Sequence, residues 1–166
     1  MSRVLPVSIC VAEVAEHARA RAAYEAWGYF GGVRPEDTVF LAERGGELVG
    51  VVRLTLEEGT RMLRGMQVAP AAQRQRIGSR LLAALVSQLA GEACFCVPYA
   101  HLVGFYGRGG FVEWPLDETP AFLTRRIAAY RSEGLAMTLM RRPGEAEGGA
   151  PAPGAPAPGA PGRARA

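Results

Sequence analysis

The sequence predicts an α/β domain with a mixed, mostly antiparallel sheet flanked by helices, and three observations carry that reading. Residues 38–42, 47–56 and 60–68 are strand-like runs joined by Glu43-Arg44-Gly45-Gly46 and Glu57-Glu58-Gly59, the turn chemistry of successive hairpins. The apolar period then changes, with Ile77, Leu81, Leu82, Leu85 and Leu89 at helical spacing. Further strand-like and helical segments lie on both sides of this centre, so a sheet covered by helices is the economical way to bury them.

Taken in order, residues 4–11 are a β-like run in which Val7, Ile9 and Val11 alternate with smaller residues. Residues 13–29 are Ala-rich and helical in character, with Tyr24, Trp27 and Phe30 as apolar contacts and Gly31-Gly32 as the stop. Arg34-Pro35-Glu36-Asp37 is a loop leading into the three hairpin strands. After the central helix, residues 92–97 read as a short buried strand. Residues 98–111 give a loop, a short helix around 102–106 and a Gly-rich stop, and 112–119, with Trp114 and Pro115, is irregular. Residues 120–131 are helical: Pro120 suits a first turn, and Phe122, Leu123, Ile127 and Tyr130 mark the apolar face. The alternation in residues 135–141 makes them the last strand. The domain therefore runs from 1 to 142. From 143 to 166 the composition is Pro, Ala and Gly with no large apolar side chain to offset ordering entropy, which predicts a disordered tail.

Composition narrows the class. A chain of 166 residues, 49% hydrophobic, suits one soluble domain with a real core. No apolar run approaches the roughly 20 residues needed to span a bilayer, and the N-terminus lacks the pattern of a signal peptide. Cys10, Cys94 and Cys96 are odd in number and form no disulfide framework, so they read as reduced thiols of a cytoplasmic protein. All nineteen basic residues are arginine, yet the net charge is only +3. That balance argues against a nucleic-acid binder while leaving room for a local patch that takes an anionic cofactor.

The chemistry concentrates in Met66-Gln67-Val68 and the turn that follows, Gln73-Arg74-Gln75-Arg76-Ile77-Gly78-Ser79. This is a strand, a short loop and a helix start. A helix start carries free N–H groups and the positive end of the dipole. Gly78 permits close approach of a ligand to the backbone, and Arg74, Arg76 and Arg80 add positive charge, so the site suits a phosphate. The same pattern also suits an ordinary strand–loop–helix with solvated arginines.

The turn resembles the pyrophosphate-binding motif of the GNAT superfamily of N-acetyltransferases, Gln/Arg-x-x-Gly-x-Gly/Ala. Gln73 matches its first position and Gly78 its last, whereas Arg76 stands at the first glycine. A second stretch, Phe105-Tyr106-Gly107-Arg108-Gly109-Gly110-Phe111, resembles that superfamily's Phe-Tyr-x-x-x-Gly-Phe segment and follows at the expected distance. The resemblance implies the GNAT fold, a single domain whose sheet splays between its fourth and fifth strands to admit acyl-CoA. It implies acetyl-CoA as cosubstrate, held by Met66, Gln67, Val68 and residues 73–79, with no metal. It implies that Tyr106 is the general acid for the departing thiolate, a role that a phenol of pKa about 10 fills at neutral pH. A backbone N–H near residues 66–68 would polarise the carbonyl.

The general base is not evident. The fourth strand, MLRGMQV, has no carboxylate, although Gln67 suits a water. Glu57 and Glu58 read as solvated turn residues. Glu13 and His101 are further candidates, and Cys94 and Cys96 read as buried thiols. The acceptor would be a small-molecule or peptide amine shaped by 31–37 and 112–119, regions without a carboxylate cluster or basic patch that names it. No nucleic acid and no membrane is expected, and a homodimer is possible. The rival from another class is a non-catalytic acyl-CoA-binding or regulatory module of the same fold.

Overall fold

A computed structural model describes residues 4–147. Its strands are β1 (Val7–Val11), β2 (Thr38–Arg44), β3 (Glu47–Glu57), β4 (Thr60–Val68), β5 (Cys94–Cys96), β6 (Val112–Glu113) and β7 (Met140–Arg142). Its helices are α1 (His17–Ala26), α2 (Ile77–Gln88), α3 (Val103–Gly107) and α4 (Ala121–Ser132). The strands form one sheet in the order β1-β2-β3-β4-β5-β7-β6. Every pairing is antiparallel except β4 with β5, which is parallel.

Alternation in β2 explains how both faces are covered. Phe40 and Ala42 join Leu81, Leu82 and Leu85 of α2 in one buried cluster, while Val39 and Leu41 join Ala20 and Tyr24 of α1 in another. A third cluster packs Met62 and Phe95 against Leu123 and Ile127 of α4. β2 and β3 are buried on both faces, which is why they read as near-continuous apolar runs.

Several boundaries differ from the sequence expectation. The first strand begins at Val7, and Val4 is exposed. The first helix is shorter than 13–29: Val14–Glu16 is a 3₁₀ turn, and the helix ends before Gly28, which takes φ +75° while Tyr29 N donates to Tyr24 O. Phe30, expected as an apolar contact, is 83% exposed beyond that stop. The last strand is confined to Met140–Arg142, with a single bridge from Met137 to Tyr99 before it. β6 lies in a stretch expected to be irregular; its two residues are ordered by pairing with β7 rather than by local propensity.

The expected tail starts at Pro143, but its first five residues are ordered. Glu145–Glu147 is a 3₁₀ turn, Glu145 N donates to Gly91 O, and Arg141 donates two hydrogen bonds to Glu147. The rest of the expected tail lies outside the described residues. Among the described residues no helix is long and apolar enough to cross a membrane.

Candidate active site

The site is built on an irregularity in β4. Val51 pairs with Gln67, but the next pair is Arg53 with Arg64, so Gly65 and Met66 stand opposite Val52 alone. This is a β-bulge, which turns backbone groups out of the ladder. Gly65 takes φ +62°, and a Cβ there would run into the Tyr24 ring and hydroxyl. Tyr24 Oη donates to Gly65 O at 2.7 Å, so α1 buttresses the bulge from behind.

Beside the bulge the sheet opens. β4 and β5 pair at Met62 and Phe95; past that point the strands diverge around a cleft of about 450 Å³. Gly65, Met66 and Gln67 line one wall and Cys96, Val97 and Tyr106 the other. The splay expected between the fourth and fifth strands is therefore present. Tyr106 is carried into the cleft by α3 and is 6% exposed, held edge-on by Phe105 at 4.9 Å and Phe111 at 6.1 Å between ring centroids. Burial, with the neighbouring Cys96 and Tyr29, raises its pKa well above the ordinary phenol value, so the hydroxyl keeps its proton at neutral pH.

The loop after β4 passes through a 3₁₀ turn, Pro70–Ala72, and enters α2. Gln73 Nε2 donates to Val68 O at 3.3 Å. Gln75 accepts from Arg44 at 2.5 Å and donates to Ala71 O at 3.4 Å. Arg74 and Arg76 both take left-handed backbone, φ +62° and +61°. Arg76 thus occupies the position of a motif glycine in a conformation glycine adopts freely, at a cost of about 1 kcal/mol for a residue with a Cβ. Gln73, Arg74, Gln75, Arg76 and Ser79 are exposed around the helix start. Ile77 is buried in the core, so only its backbone faces a ligand. A Cβ on Gly78 would meet the Phe105 ring at 3.3 Å, so the glycine also lets α2 lie close to α3.

The candidate bases fall apart in space. Glu13 sits before a 3₁₀ turn, its N–H donating to Glu16. His101 is exposed and stacks on Tyr99. Cys94 and Cys96 are buried, and burial pushes the Cys94 thiol up to about 12 and raises Cys96 as well, so neither is a ready nucleophile. Glu57 corrects the expectation of a solvated turn residue. It accepts from Arg64 at 2.8 Å and Arg126 at 2.5 Å, with its side chain 14% exposed. Burial alone would raise its pKa, but the Arg126 hydrogen bond and the two guanidinium charges outweigh it and hold the carboxyl below its ordinary value. No carboxylate lines the cleft, and among the described residues no group of three His, Cys, Asp or Glu could hold a metal.

Residues 35–113 match the family model of the acetyltransferase (GNAT) domain. That segment carries a GNAT acetyltransferase domain. No curated protein matches the sequence. Among solved structures, this chain is similar to N-acetylglutamate synthase from Neisseria gonorrhoeae complexed with coenzyme A and N-acetyl-glutamate, at 22% identity and TM-score 0.58 over 85% of this chain and 36% of that one. It therefore spans about a third of the synthase's length. Rv2747 from Mycobacterium tuberculosis, in complex with CoA, gives TM-score 0.63 at 15% identity over 81% and 97% of the two chains. The ribosomal-protein-S18-alanine N-acetyltransferase of Escherichia coli gives 0.57 at 17% over 83% and 94%. At such identities the likeness is one of fold.

Arg53, Arg64 and Arg126 were not singled out as site residues in the sequence, yet they line cavities at the mouth of the cleft together with Arg34. Each lies on a different element from its neighbours, and only the turn residues 31–37 pointed to this region.

Proposed function

We propose that this GNAT domain transfers acetyl from acetyl-CoA to an amine by direct attack within a ternary complex. The observation that carries the reading is Tyr106, buried with its hydroxyl in the neutral form and lining the cleft across from the β4 bulge. The amine lone pair attacks the thioester carbonyl carbon and a C–N bond forms. The developing oxyanion is met by backbone N–H of the bulge at 66–68, a fixed dipole that needs no reorganisation. The C–S bond then breaks, and the thiolate takes the Tyr106 proton as it leaves. The nitrogen gives its extra proton to water held beside Gln67, since Glu57 is locked between two arginines and no carboxylate faces the cleft. Holding both substrates in one cleft supplies much of the acceleration.

The start of α2 supports the cofactor assignment. Gln73, Arg74, Gln75, Arg76, Ile77, Gly78 and Ser79 would present N–H groups, the helix dipole and guanidinium charge to the pyrophosphate, with Met66, Gln67 and Val68 along the pantetheine. The cytoplasm fits three free cysteines, one of them exposed. A second reading, a non-catalytic acyl-CoA-binding module, draws on the absence of a carboxylate in the cleft and on the strained Arg76 in the loop. Thiol release from acetyl-CoA with a panel of amines, against a no-acceptor control and with binding measured by calorimetry, separates the two. Amine-dependent release supports transfer; binding without release from any amine overturns it.

A further inference from the structure

Next to the cleft lies a second cavity, of about 550 Å³, between the loop after α1, the β3–β4 hairpin and α4. Gly31, Arg64 and Arg126 line both spaces, so the two adjoin at these residues. Four arginines form the walls of the second cavity: Arg34, Arg53, Arg64 and Arg126. Their charges are unequally compensated. Arg53 is 4% exposed and paired with the fully buried Asp37 at 2.9 Å, and Arg34 lies 3.6 Å from the same carboxylate. Arg64 and Arg126 share the single carboxylate of Glu57. Two further acids belong to the balance, Glu36 against Arg34 and Glu58, which lines the cavity from the hairpin turn; both are exposed, where water and salt screen them, and neither is paired with Arg64 or Arg126 among the described residues. Two guanidinium groups at the junction with the cleft therefore answer to one carboxylate.

Arg126 carries a second sign of incompleteness. Its Nη2 reaches Glu57, while its Nη1 is buried without a hydrogen-bond partner among the described residues. A buried unpaired donor costs free energy that a ligand acceptor recovers. A guanidinium fork matches a planar carboxylate in shape, and one uncompensated charge matches one carboxylate in amount. A phosphate ester, nearer to two negative charges at neutral pH, would be left undercompensated.

We propose that the junction of Arg64 and Arg126 binds a carboxylate of the acceptor, so that the amine acetylated belongs to the amino-acid class, its carboxylate in the arginine cavity and its amino group in the cleft. This rests on the acetyl-transfer reading and narrows its acceptor. The bond changes are those of that reading: the amino nitrogen gains the acetyl group, the C–S bond breaks and the thiol leaves protonated.

The test measures thiol release from acetyl-CoA by the full chain with matched amines: L-phenylalanine against phenethylamine, L-leucine against isopentylamine, and O-phosphoethanolamine against ethanolamine. The amino acids are expected to exceed their decarboxylated partners at least tenfold in kcat/KM. Arg126→Gln is expected to raise KM for the amino acid at least tenfold and to bring that ratio down towards one, which a merely structural role would not do. The comparison within the unsubstituted protein stands even if the variant does not fold. Decarboxylated amines used equally well or better overturn the inference and leave acetyl transfer standing. Preference for phosphoethanolamine over every amino acid overturns the carboxylate. Acetyl-CoA binding with no amine consumed overturns acetyl transfer and this inference with it.

Discussion

The helix-start loop and the arginine cavity both present guanidinium groups to a substrate space, but they are made in opposite ways. Residues 73–79 are contiguous, exposed except for Ile77 and Gly78, and held by a few side-chain bonds such as those of Gln73 and Gln75. The cavity draws Arg34 from a loop, Arg53 from β3, Arg64 from β4 and Arg126 from α4, with the guanidinium groups held against carboxylates. The difference teaches where electrostatic selectivity is placed. Charges in the loop are screened by water and would suit a ligand with many charges of its own, whereas half-buried charges at the cavity wall would discriminate, because leaving them unpaired is costly.

The largest expected effect is at Tyr106, which lines the cleft together with Arg64 and Arg126. Tyr106→Phe keeps the ring against Phe105 and Phe111 but removes the proton. Turnover is expected to fall by roughly 10²-fold or more while acetyl-CoA affinity by calorimetry holds. A Phe variant with nearly full turnover would return Tyr106 to a packing role.

Glu57→Gln breaks the cavity side of the comparison. It leaves Arg64 and Arg126 facing each other without the carboxylate, and stability by urea unfolding is expected to drop by about 2 kcal/mol, below the fully buried case because these side chains are partly exposed. Since Glu57 is held below its ordinary value of 4.5, its contribution is present above that pH and is lost as the pH falls through the lowered folded value. The gap between the two proteins should therefore close below pH 4.5, and a gap that persists in acid would show that packing, not charge, is what the substitution removed.

Gly78→Glu probes the loop. A carboxylate at the helix start is expected to weaken acetyl-CoA binding at least tenfold, about 1.4 kcal/mol. Gly78→Ala is the control for packing, because its Cβ meets the Phe105 ring at 3.3 Å, a contact that yields by a few tenths of an ångström, and Val68 at an ordinary 3.9 Å. Equal losses in the two variants would assign Gly78 to helix packing alone.

The smallest effect is expected from Arg76→Gly. Removing the left-handed strain should raise stability by up to about 1 kcal/mol, a few degrees in Tm. Acetyl-CoA affinity should fall a few-fold at low salt and converge with the parent protein at high salt, as expected for an exposed charge. Tighter binding would show that the side chain crowds the cradle.

Much of this arrangement was legible in the sequence because it depends on neighbours along the chain. The hairpin strands declared themselves through turn residues, α2 through its apolar period, and the two motifs through spacing. Tyr106 could be named from Phe105-Tyr106 and the glycines that follow. Short pieces failed for the same reason in reverse. β6 and β7 are two and three residues long and exist by pairing, β7 with β5 and β6 with β7, and Phe30 lost its expected contact because the helix stopped before Gly28.

What the sequence by itself determined is the class of fold, the strand–loop–helix that would take a phosphate, and the aromatic that enters the cleft, since each is coded by residues a few positions apart. Only the tertiary structure decided the rest. It locked Glu57 between arginines 7 and 69 positions away, set the β4 bulge against Tyr24, and gathered four arginines around one cavity. Charge pairing between distant segments leaves no period and no spacing in a sequence. It appears only once burial has brought the groups together and made each unpaired charge expensive.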